Sequence, residues 1–482
     1  MSLTMSSRVR RGIALCAVVL ATGGLVLYRA PASSAFPGDA SFTSKTPGVL
    51  TAGKSSAAFS GPGVHGMVSL SHSRVLSGSE TPIFADIRVV ADADARASDH
   101  KRAPISLAVV LDTSGSMSGE KIEEARRSVL RLLADMRDDD EIAVIRYSGD
   151  SEVLQPLVRV GAVRESLPAR IRQLEASGGT NIPSGMSAGL HALDESARGR
   201  VRRIILVSDG LDSTRAQAET LARNSFASGI TVSSLGIGLD FDESYMGSLA
   251  QNGHGNFAFV KDGASLARFL HRELEETAGT TVENARVRLE LPDGMRFVSA
   301  SGADAVVRGN AVELAIGSLF GGDERRVIVE LAAVTRGAEG MTVDTQASWN
   351  LVGSTSVTAV RAPQLTLLAT NSASDVESGQ DGAVLASATS VIASRKQVEA
   401  SSAYAQGNVA LAAQITEENE KNLARARMAA PPAAAPALDS QMKAYGAMKQ
   451  GFKTVAPTSA AGKSAAKSNT ERDMANSARS VF

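Results

Sequence analysis

The chain has 482 residues, more than one hydrophobic core usually supports, so two or three folded units are expected. Hydrophobic residues make up 43% and charged residues 21% of the composition, and the formal net charge is −1. This balance excludes a wholly disordered chain and a protein that coats nucleic acid through bulk positive charge, so no nucleic-acid partner is expected.

The first 35 residues have the pattern of an export signal. Three arginines precede an apolar run at residues 12–28, and the small residues Ser33 and Ala35 follow with the spacing of a cleavage site. The run is also long enough to remain as an uncleaved anchor in the inner membrane, and both alternatives stay open. We therefore expect an exported protein that is periplasmic, on the cell surface or extracellular. Cys16, the only cysteine, lies inside the run, so disulfide chemistry is not expected in a mature chain.

Residues 36–62 consist largely of Ser, Ala, Gly and Pro, a composition that predicts a flexible linker. Residues 63–103 contain two stretches with strand character, VHGMVSLS and PIFADIRVV, separated by a turn-rich segment. They predict β-strands of a flanking domain.

Residues 104–277 alternate apolar strands with amphipathic helices, which predicts an α/β domain with a doubly wound, mostly parallel, Rossmann-like sheet. The predicted strands are ISLAVVL, EIAVIRY, RRIILVS, ITVSSLGIG and NFAFV. The predicted helices span residues 119–136, 162–175, 183–197, 214–227, 242–251 and 263–277. Asp240, Asp242 and Glu243 suggest a second cation site, but acidic residues at a helix start favour a helix cap.

From residue 280 to 368 the hydrophobic period changes to two, which predicts an antiparallel β-sandwich. Because similar strands precede the α/β domain, we expect the sandwich to be built from both flanks with the α/β domain inserted. Residues 381–428 predict a helical hairpin with a break at residues 406–408. From Lys421 onward ten Lys and Arg residues stand against three Asp and Glu, and residues 429–482 predict a disordered basic tail.

Polar residues follow three segments of the predicted α/β domain. Asp112, Ser114 and Ser116 come after the first strand, Thr180 lies in a Gly-rich loop before a helix, and Asp209 follows a buried strand. In an open parallel sheet such loops converge on the crevice where ligands usually bind. Carboxylate and hydroxyl oxygens suit hard cations, so these five residues predict a site for Mg²⁺, or for Mn²⁺ or Ca²⁺. With few carboxylates the metal retains positive charge, which favours a protein ligand that presents Asp or Glu.

The pattern Asp112-x-Ser114-x-Ser116, followed by Thr180 and Asp209, resembles the metal-ion-dependent adhesion site of von Willebrand factor A domains. The resemblance covers residues 104–277 and is closest to bacterial secreted or envelope members, with some similarity to the core of inter-alpha-trypsin inhibitor heavy chains. It implies that Ser114, Ser116 and Thr180 coordinate the metal directly or nearly so. It also implies that Asp112 and Asp209 act directly or through water, and that the protein is a binding or adhesion module with no catalytic residues.

Three other interpretations stay open. The loop at Asp112 could be a strand-to-helix turn, because Asp and Ser favour caps for local reasons. An envelope assembly or scaffold protein could act through the β-domain and the basic tail. A metal-dependent, phosphatase-like hydrolase could use Asp112 as nucleophile, although such enzymes usually carry a second Asp where this chain has Ser114. The pattern indicates no oligomeric state.

Overall fold

The α/β part of the chain is built on a six-stranded sheet with the order β10-β9-β8-β5-β6-β7. The computed structural model describes residues 55–93, 103–196, 199–209, 212–335 and 340–479. All neighbouring strands of this sheet are parallel except β7, which is antiparallel to β6. The strands are β5 (Ile105–Asp112), β6 (Glu141–Tyr147), β7 (Ser151–Arg159), β8 (Val201–Ser208), β9 (Ile230–Ile237) and β10 (His254–Val260). Every residue of β5 and β9 is buried, as expected for strands covered on both faces.

Helices cover both faces of this sheet, which confirms the predicted doubly wound architecture. The helices are α1 (Glu120–Asp135), α2 (Val160–Val163), α3 (Leu167–Arg172), α4 (Ile182–Asp194), α5 (Arg215–Ala227), α6 (Glu243–Asn252) and α7 (Gly263–Gly279). Apolar residues of α1 and α7 share one core with the sheet, and those of α4, α5 and α6 share the other. The predicted helix at 162–175 is confirmed only in part, because the chain forms two short helices there, α2 and α3, with a break at residues 164–166. Edge strand β7, which precedes them, was not predicted.

Two mainly antiparallel sheets form a β-sandwich around a separate core. The first has the order β1-β2-β4-β15-β12 and the second β13-β14-β11-β16-β18-β3, with β17 paired to β16. The strands before the α/β part are β1 (Ser56–Gly61), β2 (Val64–Leu70), β3 (Arg74–Leu76) and β4 (Thr81–Ala91). Those after it are β11 (Thr280–Glu290), β12 (Met295–Ser301), β13 (Asp304–Arg308), β14 (Ala311–Phe320), β15 (Glu324–Ala333), β16 (Met341–Leu351), β17 (Val357–Arg361) and β18 (Leu365–Thr370).

Strands from both flanks pair directly with each other. Residues Thr81–Val90 of β4 pair antiparallel with Glu324–Ala333 of β15. The chain therefore leaves the sandwich after β4, forms the α/β domain, and returns to complete the same sheet.

Part of the predicted linker at 36–62 is a strand, so that prediction is wrong for residues 56–61. Ala57 and Phe59 of β1 point into the sandwich core with 3% and 5% exposure, and β1 pairs antiparallel with β2. Gly63 makes the connecting turn at a φ of 74°, a conformation that suits glycine. The strand was not predicted because its Ser- and Ala-rich composition is typical of a linker, although buried and exposed residues alternate along it.

Helices also occupy the region of the predicted disordered tail at 429–482, which is a second correction. The C-terminal helices are α8 (Ala373–Ser378), α9 (Gly382–Ala405), α10 (Val409–Ala429), α11 (Ala435–Thr454) and α12 (Ala460–Arg479). Leu438, Tyr445 and Phe452 of α11 are buried in a core shared with α9 and α10. Several basic residues that suggested a tail form ion pairs within the fold, such as Lys449 with Glu420 and Lys467 with Glu243.

The C-terminal helices contact both larger parts of the molecule. Helix α9 lies on β4 and β15, where the buried Arg326 guanidinium pairs with Asp86 and donates to the Ser387 hydroxyl of α9 at 3.0 Å. Helix α12 contacts α6 and β10 of the α/β domain as well as β15. The helices therefore connect the sandwich to the α/β domain.

Within the described ranges, no helix is both long and apolar enough to cross a membrane. The apolar run at residues 12–28, together with the rest of the predicted export segment at 1–35, lies outside those ranges.

His72 is a buried histidine whose surroundings favour the neutral imidazole. Its Nδ1 atom lies 2.8 Å from the Ser71 hydroxyl, and its Nε2 atom lies 3.3 Å from the amide nitrogen of Gln380. The amide nitrogen can donate only to an unprotonated Nε2. Burial lowers the pKa of His72 below its ordinary value of 6.5.

We expect His72→Gln to lessen the loss of stability in mild acid. A lowered pKa in the folded state means that the unfolded chain binds the proton more readily, so stability falls as pH drops through 6.5 and on through the folded pKa. Unfolding by urea at pH 7.5 and 5.5 measures this difference. The exposed His191→Gln serves as control, and an equal loss in H72Q and wild type would contradict the expectation.

Candidate metal centre

The five predicted ligands lie on loops at or beside the carboxyl ends of the central strands. Strand β5 ends at Asp112, and a short 3-10 turn at Gly115–Met117 leads to α1. The chain proceeds from β5 to β6 on one side, whereas β8 and β9 lie on the other side. This change of direction opens a crevice at the strand ends, the usual ligand position in such sheets.

Asp112 is the most deeply placed of the five, with a fully buried side chain. Its Oδ1 atom accepts a hydrogen bond from the Ser114 amide at 2.8 Å, and its Oδ2 atom accepts one from the Ser208 hydroxyl at 2.6 Å. The Tyr147 hydroxyl donates to Oδ2 over 3.4 Å. Burial raises the pKa of Asp112, the bonds from Ser208 and Ser114 oppose that rise, and the nearby Asp209 carboxylate adds to it. A cation beside Asp112 would relieve this desolvated negative charge.

Ser114, Ser116 and Asp209 form a connected chain of oxygen atoms. The Ser114 and Ser116 hydroxyls are 3.0 Å apart, and the Ser116 hydroxyl donates to Asp209 Oδ1 at 2.8 Å. The Asp209 side chain has 0% exposure, whereas Ser116 is exposed. The structure thus brings four of the five predicted residues into one continuous cluster that opens to solvent at Ser116.

Thr180 reaches the same edge through backbone contacts between two loops. The Ser177 amide donates to the Thr113 carbonyl at 2.7 Å, and the Gly115 amide donates to the Gly178 carbonyl at 3.0 Å. Gly178 has a φ of 83°, so this tight approach depends on glycine. The half-buried Thr180 makes no hydrogen bond with another described residue through its hydroxyl.

Lys121 is a member of the site that sequence reasoning missed. Its ammonium group pairs with Asp209 Oδ2 and donates to the Ser116 carbonyl at 3.2 Å. A signal was present in the sequence, because a lysine in the first turn of a helix is unfavourable next to the helix dipole and needs another partner. Here that partner is a predicted metal ligand.

The acidic residues of the β9–α6 loop form a helix cap and ion pairs with α12. Asp242 caps α6 by accepting hydrogen bonds from the amides of Ser244 and Tyr245 at 2.9 and 3.0 Å, which confirms its predicted role as a cap. Asp240 pairs with Lys463 of α12, and this contact lowers the pKa of Asp240. Glu243 pairs with the buried Lys467.

The donor set fits a hard divalent cation. The cluster supplies two carboxylates and two hydroxyls, and Thr180 adds a third hydroxyl at the same edge of the sheet. All are oxygen ligands of the kind that Mg²⁺, Mn²⁺ and Ca²⁺ accept. No group of three or more His, Cys, Asp or Glu side chains placed to hold a metal occurs among the described residues.

Residues 106–272 match the sequence family described as the von Willebrand factor type A domain. This part of the chain is a von Willebrand factor type A (VWA) domain. The match confirms the predicted resemblance and supports a protein-interaction module, and domains of this family commonly bind a divalent metal.

Curated relatives match less than half of this chain. YfbK of Escherichia coli is 28% identical over 215 residues, which cover 42% of this chain and 37% of YfbK. The Synechocystis protein sll0103 is 27% identical over 49% of this chain and 59% of its own length. Human inter-alpha-trypsin inhibitor heavy chain H3 is 27% identical over 39% of this chain and 22% of its own. The matched part thus spans less than two thirds of each relative.

Solved structures share the fold over a larger part of the chain. A von Willebrand factor type A protein from Catenulispora acidiphila has a TM-score of 0.59 at 16% identity and covers 78% of this chain and 91% of its own. The ArnB paralog VWA2 from Sulfolobus acidocaldarius has a TM-score of 0.57 at 17% identity and covers 86% of this chain and all of its own. At these identities the likeness concerns the fold, including regions outside the VWA domain.

Proposed function

We propose that the protein is a metal-ion-dependent binding module that captures an Asp or Glu side chain of a partner protein. The proposal rests on one observation above all. The loops that carry Asp112 to Ser116, Thr180 and Asp209 meet at the carboxyl edge of the sheet. The side-chain oxygens of Ser114, Ser116 and Asp209 are in contact there, and Ser116 is exposed.

Each residue has a role that follows from its position. Ser114, Ser116 and Thr180 would hold Mg²⁺, with Mn²⁺ or Ca²⁺ as alternatives, in the roles that the family resemblance implies. Of the three, Ser116 is exposed, Thr180 is half-buried and Ser114 is buried. Asp112 and Asp209 would supply negative charge from beneath, directly or through water. When bound, the metal supplies a positively charged acceptor for an outside carboxylate. Asp112 is kept in place by Ser208 and by the Ser114 amide.

We further propose that the protein is not an enzyme. A nucleophilic Asp112 would need an exposed oxygen, but its side chain is fully buried and both oxygens accept hydrogen bonds. The position two residues later, where phosphatases of this type carry a second Asp, is Ser114. Appreciable phosphatase turnover in Mg²⁺ that Asp112→Asn abolishes would contradict the proposal.

Export to the periplasm, the cell surface or the extracellular space remains part of the proposal, on the strength of the N-terminal sequence pattern. The alternative function, a scaffold protein that acts through a mobile basic tail, is not favoured, because the residues predicted as that tail are folded. Residues 435–454 and 460–479 are helical, and Lys449 and Lys467 form ion pairs inside the fold.

Calorimetric titration of the full chain with Mg²⁺ and Mn²⁺ tests the metal site. We expect saturable binding in the wild type and at least about tenfold weaker binding in Ser116→Ala, because an exposed ligand oxygen is removed. Ser118→Ala is the matched control, since the Ser118 hydroxyl donates to the Gly115 carbonyl at 2.7 Å and is not a predicted ligand. Absence of binding in the wild type, or equal binding in S116A, would refute the site.

Capture of a partner is tested separately. Proteins of a cell-envelope extract should be retained by the immobilised wild type in Mg²⁺ and released by EDTA, and S116A should retain less. Retention that EDTA leaves unchanged would show that any partner binds elsewhere.

A further inference from the structure

Lys121 places a positive charge inside the candidate metal centre. Its ammonium group contacts Asp209 Oδ2 and the Ser116 carbonyl, both belonging to predicted ligand residues. The Lys121 side chain is 28% exposed, whereas the Asp209 side chain is fully buried. Lys121 therefore neutralises a carboxylate that solvent does not reach.

The Lys121 side chain also lies close to the β9–α6 loop. Gly238, with a φ of 80°, lies beside the Lys121 side chain, and a methyl group added there would stand 3.1 Å from Cε. The hydrogen bond from Lys463 is the main cause of the lowered pKa of Asp240, and the charge of Lys121 adds a smaller lowering. The ammonium group is thus set between the ligand loop and the β9–α6 loop.

We propose that Lys121 is a built-in counter-ion that competes with the divalent metal for Asp209 and so weakens metal binding. This inference rests on the proposed function of the same site. A cation that draws on the Asp209 carboxylate meets repulsion from the ammonium group that already pairs with its Oδ2 atom. With Asp112 and Asp209 ionised, Lys121 halves the negative charge that attracts the metal.

The same charge favours capture of an anion once the metal is bound. Two carboxylates, one ammonium group and one divalent cation leave one net positive charge at the edge of the sheet. A partner carboxylate would neutralise it, whereas a centre without Lys121 would already be neutral. Lys121 thus weakens binding of the metal and strengthens binding of an anion to the metal-loaded site.

Calorimetric titration with Mg²⁺ alone tests the proposal on the full chain. We expect Lys121→Met to bind Mg²⁺ about tenfold more tightly than the wild type, because a unit charge next to the site is removed. Lys121→Arg keeps the charge and should stay within about threefold of the wild type. Lys421→Met, which removes an exposed lysine of α10 paired with Glu417, is the control for loss of charge elsewhere.

Thermal unfolding in EDTA and in Mg²⁺ gives a second readout. In EDTA, K121M should melt below the wild type, because Asp209 is left buried without its partner. Saturating Mg²⁺ should then raise the melting temperature of K121M more than that of the wild type. If K121M does not fold, Lys121→Gln offers a polar replacement for the same comparison.

The outcomes separate the two proposals. Tighter Mg²⁺ binding in K121M but not in K121R supports competition. If the wild type binds Mg²⁺ and K121M binds no more tightly, Lys121 is only a structural partner of Asp209. The inference about Lys121 is then wrong, and the proposed metal site still stands. If neither protein binds Mg²⁺ or Mn²⁺, the proposed metal site fails as well.

Discussion

Asp112→Asn is expected to abolish saturable Mg²⁺ binding while leaving the metal-free protein at least as stable as the wild type. The substitution removes one of two carboxylates in the cluster and keeps a side chain of nearly the same shape. An amide oxygen can still accept from the Ser114 amide, and the Ser208 hydroxyl can turn to accept from the new amide nitrogen.

The stability effect follows from the charge of the buried carboxylate. Burial and the neighbouring Asp209 both raise the pKa of Asp112, so the fold opposes the ionised form that a metal would need. Removing the charge should add about 0.5–2 kcal/mol to the free energy of unfolding in EDTA, as expected where a functional site is kept at a cost in stability.

Urea unfolding in EDTA and Mg²⁺ calorimetry on the same preparations check both parts. Asp439→Asn is a suitable control, because Asp439 is a half-exposed carboxylate paired with Arg427 on the C-terminal helices. Unchanged Mg²⁺ binding in D112N would remove Asp112 from the site. A clear loss of metal-free stability would show that the carboxylate is needed for folding.

The sequence was sufficient to predict the α/β domain because local and global signals agree there. The apolar runs of β5, β8 and β9 are buried along almost their whole length, and turn or cap residues separate them from amphipathic helices. The candidate ligands follow from the same logic, since Asp112 and Asp209 directly follow buried strands. The presence of a β-sandwich, though not its strand order, was predictable from the two-residue hydrophobic period in the segments on both sides of the α/β domain.

Features that depend on distant partners were not predictable. Strand β1 is defined by its pairing with β2, and its composition alone resembles a linker. Helix α12 has few apolar residues and packs through contacts such as Met474 against Gly247 of α6. The role of Lys121 required knowing that Asp209 lies across the crevice, 88 residues later in the chain.

Lys467→Met is expected to cost about 3–5 kcal/mol of stability, the typical effect of breaking a buried ion pair from one side. Lys467 lies on α12 with 3% exposure. Its ammonium group donates to Glu243 Oε2 at 2.8 Å and to the Phe241 carbonyl at 2.6 Å, and it lies 4.0 Å from the centre of the Phe241 ring. The substitution would leave the Glu243 carboxylate buried and unpaired.

The chain offers a matched control one turn earlier on the same helix. Lys463 pairs with Asp240, but these side chains are 43% and 69% exposed, so Lys463→Met should cost no more than about 1 kcal/mol. The double variant K467M with Glu243→Gln should recover part of the loss, because no buried charge then remains without a partner. A K467M protein as stable as K463M would contradict the assigned role of the buried pair.

Hydrogen exchange distinguishes undocking of α12 from unfolding of the whole protein. Lys467 connects α12 to the β9–α6 loop, whereas the strands of the VWA sheet are held by cores that α12 does not enter. We therefore expect K467M to lose amide protection first in α12 and α6, with β5 and β8 still protected. Because Gly238 of the same loop lies against Lys121, undocking of α12 should also loosen the lysine that pairs with Asp209. Equal loss of protection in β5 and α12 would instead show that the helix and the VWA domain unfold as one unit.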